Sequence, residues 1–233
     1  MELIIHIGKE KTGSTSLQHN IFSNTQRLKN ALIYPLRELI LTEPNRSFSI
    51  LFERNFNFPL YKLMKINNKE QIKELKLQVF NDFTSQYNFA RKYHQKMVIS
   101  SEFISVALND REQLYQLKKF CDRRFSKVSI VCYFRDQFSD CLSRYSQDLK
   151  TGLIHNFDDF MKIVTPANLL YNHFNFMNLW EETFGIKNMF AFSYFNEDGH
   201  PIDINKHFFT NFLPECVNFE NQPGGKEICH LVG

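Results

Sequence analysis

The chain has 233 residues, a formal net charge of +3 and a pI near 8.5, with 43% hydrophobic and 15% aromatic residues. This length and apolar content predict a single domain over residues 1–233 with a sizeable core and argue against a two-domain arrangement. The mild positive charge gives no indication of nucleic-acid binding, although it is compatible with an anionic small molecule.

Cysteine usage and hydropathy predict the compartment. The five cysteines are odd in number and form no C-x-x-C pair, which argues against a closed disulfide framework and favours a reduced, cytoplasmic protein. No apolar run approaches the ~18 residues of a membrane-spanning helix, and the first predicted strand begins near residue 3, too early for a signal peptide. The sequence carries no indication of the oligomeric state.

Short apolar runs alternate with helical patterns along the chain. Strands are predicted at Leu3–Ile7, Ala31–Tyr34, Met97–Ser100, Val128–Phe134 and Met189–Tyr194, because such runs suit strands covered on both faces. The alternation predicts an α/β fold, a parallel β-sheet flanked by helices, with ligand sites outside the carboxyl ends of the strands. The region from Leu36 to Lys65, rich in Phe and Asn, receives no assignment.

Four helical patterns are clear. The first shows spacings of three and four and places on one face Ile72, Leu75, Val79, Phe83, Tyr87 and Ala90. The second starts at Asp110, with Gln113 in the capping-box position, and is predicted to bury Leu114, Leu117 and Phe120. The remaining two carry the apolar sets Phe138, Cys141, Tyr145, Leu149 and Leu170, Phe174, Met177, Trp180, Phe184.

The junction after the first strand reads GKEKTGST, from Gly8 to Thr15. A strand, a glycine loop and a helix start together make an anion site, because the first helical turn leaves N–H groups without partners at the positive end of the helix dipole. The Walker A loop is the nearest familiar pattern, but Ser14 occupies its lysine position and Lys11 lies before Gly13. The loop is therefore either a phosphate-binding loop of a different type or an ordinary βα turn.

A second anion contact is predicted where the fourth strand ends. The strand runs into Arg135, and Ser143 follows eight residues later, about two helical turns along one face. Arginine offers a rigid fork of donors that suits phosphate, and serine adds a hydroxyl donor. The alternative is that Arg135 pairs with Asp136 or Asp140 at a helix start.

Both motifs resemble those of a known family. IHIGKEKTGSTSLQ resembles the 5′-phosphosulfate loop of sulfotransferases, and YFRDQFSDCLSRY resembles their 3′-phosphate motif. The segments ALIYP, KTG before NFDDF, and LWEETFG are similar to the bacterial sulfotransferases that act on glycans. The resemblance covers most of residues 1–213, with 40–95 weakly matched, and it implies the P-loop-like sulfotransferase fold.

The resemblance implies a nucleotide donor, 3′-phosphoadenosine 5′-phosphosulfate (PAPS), and transfer of its sulfuryl group to an acceptor hydroxyl or amine, which leaves 3′-phosphoadenosine 5′-phosphate (PAP). Lys11 is expected to stabilise charge on the departing 5′-phosphate, and Arg135 with Ser143 to hold the 3′-phosphate. The phosphosulfate is expected in the loop, cradled by Lys11, Thr12, Gly13, Ser14, Thr15 and Ser16. The scheme requires no metal.

The general base is predicted from the third strand. This strand delivers Ser101 and Glu102 to the edge of the sheet where related enzymes place a catalytic His or Glu. Glu102 is therefore the candidate base. The alternative is that Glu102 is an ordinary carboxylate at the start of a helix. His155 and His173 are weaker candidates because their settings suit surface roles. His6, inside the first strand, is expected to be a core histidine.

Two alternative functions, and the role of one basic surface, remain undecided by the sequence. A P-loop kinase of small molecules shares the sheet and loop, but it should carry Lys after Gly13 and metal-binding carboxylates. A noncatalytic nucleotide-binding relative would keep the donor site alone. A basic stretch either approaches an anionic glycan or is a solvated helix face, and it comprises Lys118, Lys119, Arg123, Arg124 and Lys127.

Overall fold

A computed structural model of the chain describes residues 1–9, 12–23, 31–34, 46–55, 58, 61, 64–150, 152 and 156–214. The strands in this part of the chain are β1 (Glu2–His6), β2 (Ala31–Tyr34), β3 (Lys96–Ser100), β4 (Lys127–Phe134) and β5 (Met189–Ser193). The helices there are α1 (Ser14–Ser23), α2 (Arg46–Ile50), α3 (Lys69–Tyr93), α4 (Glu102–Ala107), α5 (Arg111–Asp122), α6 (Gln137–Lys150), α7 (Phe157–Ile163), α8 (His173–Phe184) and α9 (Ile204–Phe212). None of these helices is long and apolar enough to span a membrane.

The strands form one parallel sheet in the order β2-β3-β1-β4-β5, which confirms the predicted α/β fold. The last residue of β1, His6, pairs with Ser100 of β3 and Val131 of β4. Strand β4 continues three residues beyond this point and pairs there with β5. The carboxyl ends of β1, β3 and β4 therefore open on the same edge, with the end of β4 extending furthest.

The core lies on both faces of the sheet, as expected for strands whose successive side chains point to opposite sides. Leu3 and Ile5 of β1 pack on one face, with buried residues of α3, α5 and α8. Ile4 packs on the other face, with buried residues of α1 and α9. This two-sided burial explains why the strands are continuous apolar runs.

The predicted helices α3 and α5 agree with the structure, whereas α8 covers a sheet face but leaves Phe174 of its predicted apolar set 73% exposed. Helix α3 buries Leu75, Val79, Phe83 and Ala90, and Asp110 and Gln113 form the capping box of α5. Helix α6 differs, because Asp148 is its buried residue while Phe138 is 73% exposed. Residues of α6 line clefts beside the strand ends, so this helix lies at the sheet edge rather than over a face.

Candidate functional site

The loop after β1 has the tight shape that its glycines predict. Gly13 has φ +79°, a left-handed conformation that favours glycine, and its carbonyl accepts the first helical hydrogen bond from Leu17 at 3.0 Å. A Cβ at Gly13 would meet Ile204 Cγ2 at 3.0 Å, and one at Gly8 would overlap Ser14 Oγ. The backbone of the loop therefore lies close to Ser14 of α1 and to Ile204 of α9. Lys11 lies outside the described residues.

The hydroxyl groups of the loop divide into an internal and an exposed set. Thr12 Oγ1 donates to the Lys9 carbonyl at 2.7 Å, and Ser14 Oγ donates to the same carbonyl at 3.3 Å. Both side chains are buried, so they close the loop. Thr15 and Ser16 are exposed, and Ser16 Oγ accepts a hydrogen bond from Asn205. The start of α1 therefore offers an anion its backbone N–H groups and exposed first-turn hydroxyls.

Lys9 anchors the loop to the segment before α8. Only 4% of this residue is exposed, and its Nζ donates to the carbonyls of Leu169 and Leu170 at 3.4 and 3.2 Å. The ammonium also lies 4.3 Å from the centre of the Phe176 ring, within range of a cation–π interaction. Sequence reasoning assigned no role to Lys9, because nothing local distinguishes it from Lys11.

The carboxyl end of β3 joins the loop through α4. Ser105 Oγ donates to the Gly8 carbonyl at 2.9 Å, and the Ser101 N–H donates to the His6 carbonyl at 2.9 Å. Ser101 caps α4, so Glu102 is the first residue of that helix and is partly exposed. The predicted base and the loop after β1 thus lie on adjoining elements at one edge of the sheet.

His6 lies in the core. It is fully buried, and its Nδ1 is 2.8 Å from Ser100 Oγ. Burial lowers the pKa of His6 to about 3, so the ring is neutral at physiological pH. The imidazole therefore supports the strand ends rather than exchanging protons with a ligand.

Arg135 follows β4 and lines a cavity of about 730 Å³ with Ser139 and Phe195. Its Nε is buried and finds no hydrogen-bond partner among the described residues, while its guanidinium carbon lies 5.6 Å from the centre of the Phe195 ring. Hydrogen bonds from Ser139 hold the pKa of Asp136 below its usual range. That carboxylate therefore caps the turn into α6, and a buried arginine donor is left for another acceptor.

Ser143 lies one helical turn beyond Ser139 on the same face of α6. Among the described residues, Ser139 rather than Ser143 lines the cavity beside Arg135. Sequence reasoning missed Ser139, although its spacing of four from both Arg135 and Ser143 marks it as a neighbour on that face.

His173 differs from the surface role expected of it. Its Nε2 is 2.9 Å from Asp140 Oδ2, and the two side chains are only 17% and 13% exposed. The ring centre lies 5.1 Å from that of Phe134 at the end of β4. The pair thus joins α6 to the start of α8 beside the strand ends. His155 lies outside the described residues.

Fold and site together define a parallel α/β protein with two candidate anion sites, which follow the neighbouring strands β1 and β4. No family model and no curated protein matches the chain. Among solved structures, a sulfotransferase from Alicyclobacillus acidocaldarius is similar, with 12% identity, a TM-score of 0.44, and coverage of 91% of this chain and 76% of that chain. This similarity concerns the arrangement of the backbone.

Proposed function

We propose that the chain is a sulfotransferase that uses PAPS as donor and transfers the sulfuryl group to a hydroxyl or amine of an acceptor. The sequence resemblance favours a carbohydrate as that acceptor. The observation that carries this proposal is the pair of anion-binding features on adjacent strands. Strands β1 and β4 pair in parallel from Glu2 with Lys127 to His6 with Val131, so the loop and Arg135 share one edge. A nucleotide with phosphate groups at both its 5′ and 3′ positions fits two such features.

The loop is proposed to hold the 5′-phosphosulfate at the start of α1. The N–H groups of the first turn lack intrahelical partners, and the helix dipole favours an anion there. Thr15 is exposed on this turn, whereas Thr12 and Ser14 close the loop behind it. Lys11 is proposed, from the sequence alone, to stabilise the negative charge that grows on the departing phosphate.

Arg135 is proposed to bind the 3′-phosphate from within its cavity. A buried donor left without a partner costs about 1–3 kcal/mol, which a bound anion would recover. The buried Nε of Arg135 is such a donor. Ser139 and Ser143, on the same face of α6, supply the hydroxyl candidates for the second contact.

The transfer is proposed to be an in-line displacement at sulfur. The acceptor oxygen or nitrogen bonds to sulfur while the bond from sulfur to the 5′-phosphate oxygen breaks, and that oxygen keeps the electron pair. Glu102 takes the acceptor proton. Its place at the start of α4, which Ser105 ties to Gly8 at 2.9 Å, supports this role. The acceptor is then held between the loop and α4.

Nucleotide binding tests the donor assignment. PAP is expected to bind far more tightly than 5′-AMP, because Arg135 and a serine of α6 are proposed to hydrogen-bond to the 3′-phosphate that 5′-AMP lacks. Each charge-assisted hydrogen bond contributes about 1.5–3 kcal/mol, so we expect a preference of at least about tenfold. Isothermal titration calorimetry measures both affinities. Equal affinity for the two nucleotides would overturn the assignment.

A chelator separates this reaction from a P-loop kinase. Ser14 stands at the position of the kinase lysine, and its hydroxyl is bonded inside the loop. We expect sulfuryl transfer to continue at an unchanged rate in excess EDTA, because the proposed charge stabilisation comes from Lys11 and backbone N–H groups. Loss of turnover in EDTA that added magnesium restores would favour the kinase.

Acceptor screening separates an enzyme from a noncatalytic nucleotide-binding relative. Donor labelled in its sulfuryl group is incubated with extracted glycans and with small alcohols and amines. Label found in an acceptor identifies the substrate class. Tight PAP binding with no transfer to any of these acceptors would favour the noncatalytic alternative.

A further inference from the structure

A second concave surface lies between α3 and α5, on elements that carry neither the anion loop nor Arg135. This basic groove has a volume of about 500 Å³ and is lined by five cationic side chains, Arg54, Lys76, Lys119, Arg123 and Arg124. The described residues that line it include no acidic side chain. Five positive charges therefore converge here, in a chain whose formal net charge is only +3.

Two of these cations are held in place at the base of the groove. The Arg124 guanidinium carbon lies 3.9 Å from the centre of the Phe120 ring, and its Nη1 donates to the Phe120 carbonyl at 3.0 Å. Lys76 Nζ donates to the Glu53 carbonyl at 2.7 Å. Burial lowers the pKa of both Lys76 and Arg124. Such fixed and partly desolvated cations lose little conformational entropy when an anion binds.

Two acidic groups lie nearby, and one of them, Glu53, also interacts electrostatically with Lys76 of the groove. The Glu53 carboxylate accepts the backbone N–H groups of Arg54 and Asn55 and a hydrogen bond from Gln113. Asp122 forms an ion pair with Lys118 at 2.8 Å. The basic stretch at the end of α5 is therefore divided: Lys118 is paired with Asp122, Lys119, Arg123 and Arg124 line the groove, and Lys127 is not among the described residues that line it.

The walls of the groove are apolar and aromatic. Phe52, Phe80 and Phe120 contribute to them, and Phe80 is 38% exposed. We propose that the groove binds a short anionic oligosaccharide, with charged substituents on the cations and the C–H faces of sugar rings against the phenylalanines. The volume lies in the range of small-ligand clefts, about 300–1,000 Å³, and the low net charge disfavours a nucleic acid.

The proposal does not depend on sulfuryl transfer, and its test needs neither donor nor turnover. Fluorescence anisotropy measures binding of fluorescein-labelled sulfated maltohexaose to the full chain at low salt and at about 0.15 M salt. Lys119→Glu combined with Arg123→Glu is expected to weaken binding at least about tenfold, because two of the three exposed cations that line the groove are reversed. The control is Lys92→Glu with Lys187→Glu, which makes the same charge change on other surfaces and should alter affinity less than about threefold.

Three results would overturn the proposal. They are an equal loss in both double variants, equal binding of unsulfated maltohexaose, and tighter binding of a labelled single-stranded deoxyhexanucleotide, which would indicate a nucleic-acid surface. Thermal unfolding checks that each variant is folded. If the glutamate variant does not fold, Lys119→Gln with Arg123→Gln replaces it, and that variant must still bind more weakly than the wild-type chain.

Discussion

Replacing Glu102 with Gln is expected to slow sulfuryl transfer by about 10²–10⁴-fold while PAP affinity stays nearly unchanged. Glutamine keeps the shape and hydrogen-bonding capacity of the side chain but cannot accept a proton. The loss therefore falls on the chemical step and not on donor binding. Single-turnover measurement of transfer, together with calorimetry of PAP, separates the two effects.

The matched control is Glu74→Gln, which changes an exposed glutamate of α3, an element that contributes none of the residues placed in the candidate site. It should retain wild-type turnover. If Glu102→Gln also retains wild-type turnover across the pH range, under conditions in which chemistry limits the rate, Glu102 is not the base. The imidazoles of His155 and His173 are then the next groups to replace, and the second already has a carboxylate partner in Asp140.

Replacing Arg135 with Ala is expected to remove most of the preference for PAP over 5′-AMP. One or two charge-assisted hydrogen bonds of about 1.5–3 kcal/mol each are lost, so PAP affinity should fall by about 10–10²-fold or more. The affinity for 5′-AMP should change little, because that nucleotide lacks the 3′-phosphate. Calorimetry with both nucleotides measures the difference.

Two comparisons sharpen the Arg135 experiment. Arg111→Ala removes an exposed arginine that pairs with Glu182 on the surface, and it should leave both affinities unchanged. Lys11→Ala should reduce turnover more than PAP binding, because its charge is proposed to act on the transition state. An equal loss of affinity for PAP and 5′-AMP in Arg135→Ala would contradict recognition of the 3′-phosphate by this residue.

Serine substitutions then assign the hydroxyl contact. The sequence spacing selects Ser143, whereas the described cavity beside Arg135 includes Ser139. The two lie one turn apart on α6, so sequence periodicity indicates the face but not which turn meets the ligand. Comparison of Ser139→Ala with Ser143→Ala in the same calorimetry distinguishes them.

The sequence alone predicted the strands and the helices α3, α5 and α8 that cover one face of the sheet, whereas the strand order and helix α9 on the other face came from the structure. Each predicted strand lies within one residue of its observed bounds, because a strand buried on both faces must be a continuous apolar run. The capping box of Asp110 and Gln113 was equally predictable, since its hydrogen bonds join residues three positions apart. The tight turn between β1 and α1 was also predictable from local pattern, because glycines mark such a turn; its binding of an anion stays a prediction.

Only the tertiary structure decided which side chains meet at the candidate site. Lys9 contacts Leu170, which is 161 positions away, and Asp140 contacts His173, 33 positions away. No local pattern specifies such partners, because chain folding and not sequence spacing brings them together. The apolar periodicity of α6 likewise predicted a buried face, but this helix lies at the sheet edge and leaves Phe138 exposed. Periodicity determines which side of a helix is apolar, whereas packing against other elements determines what covers it.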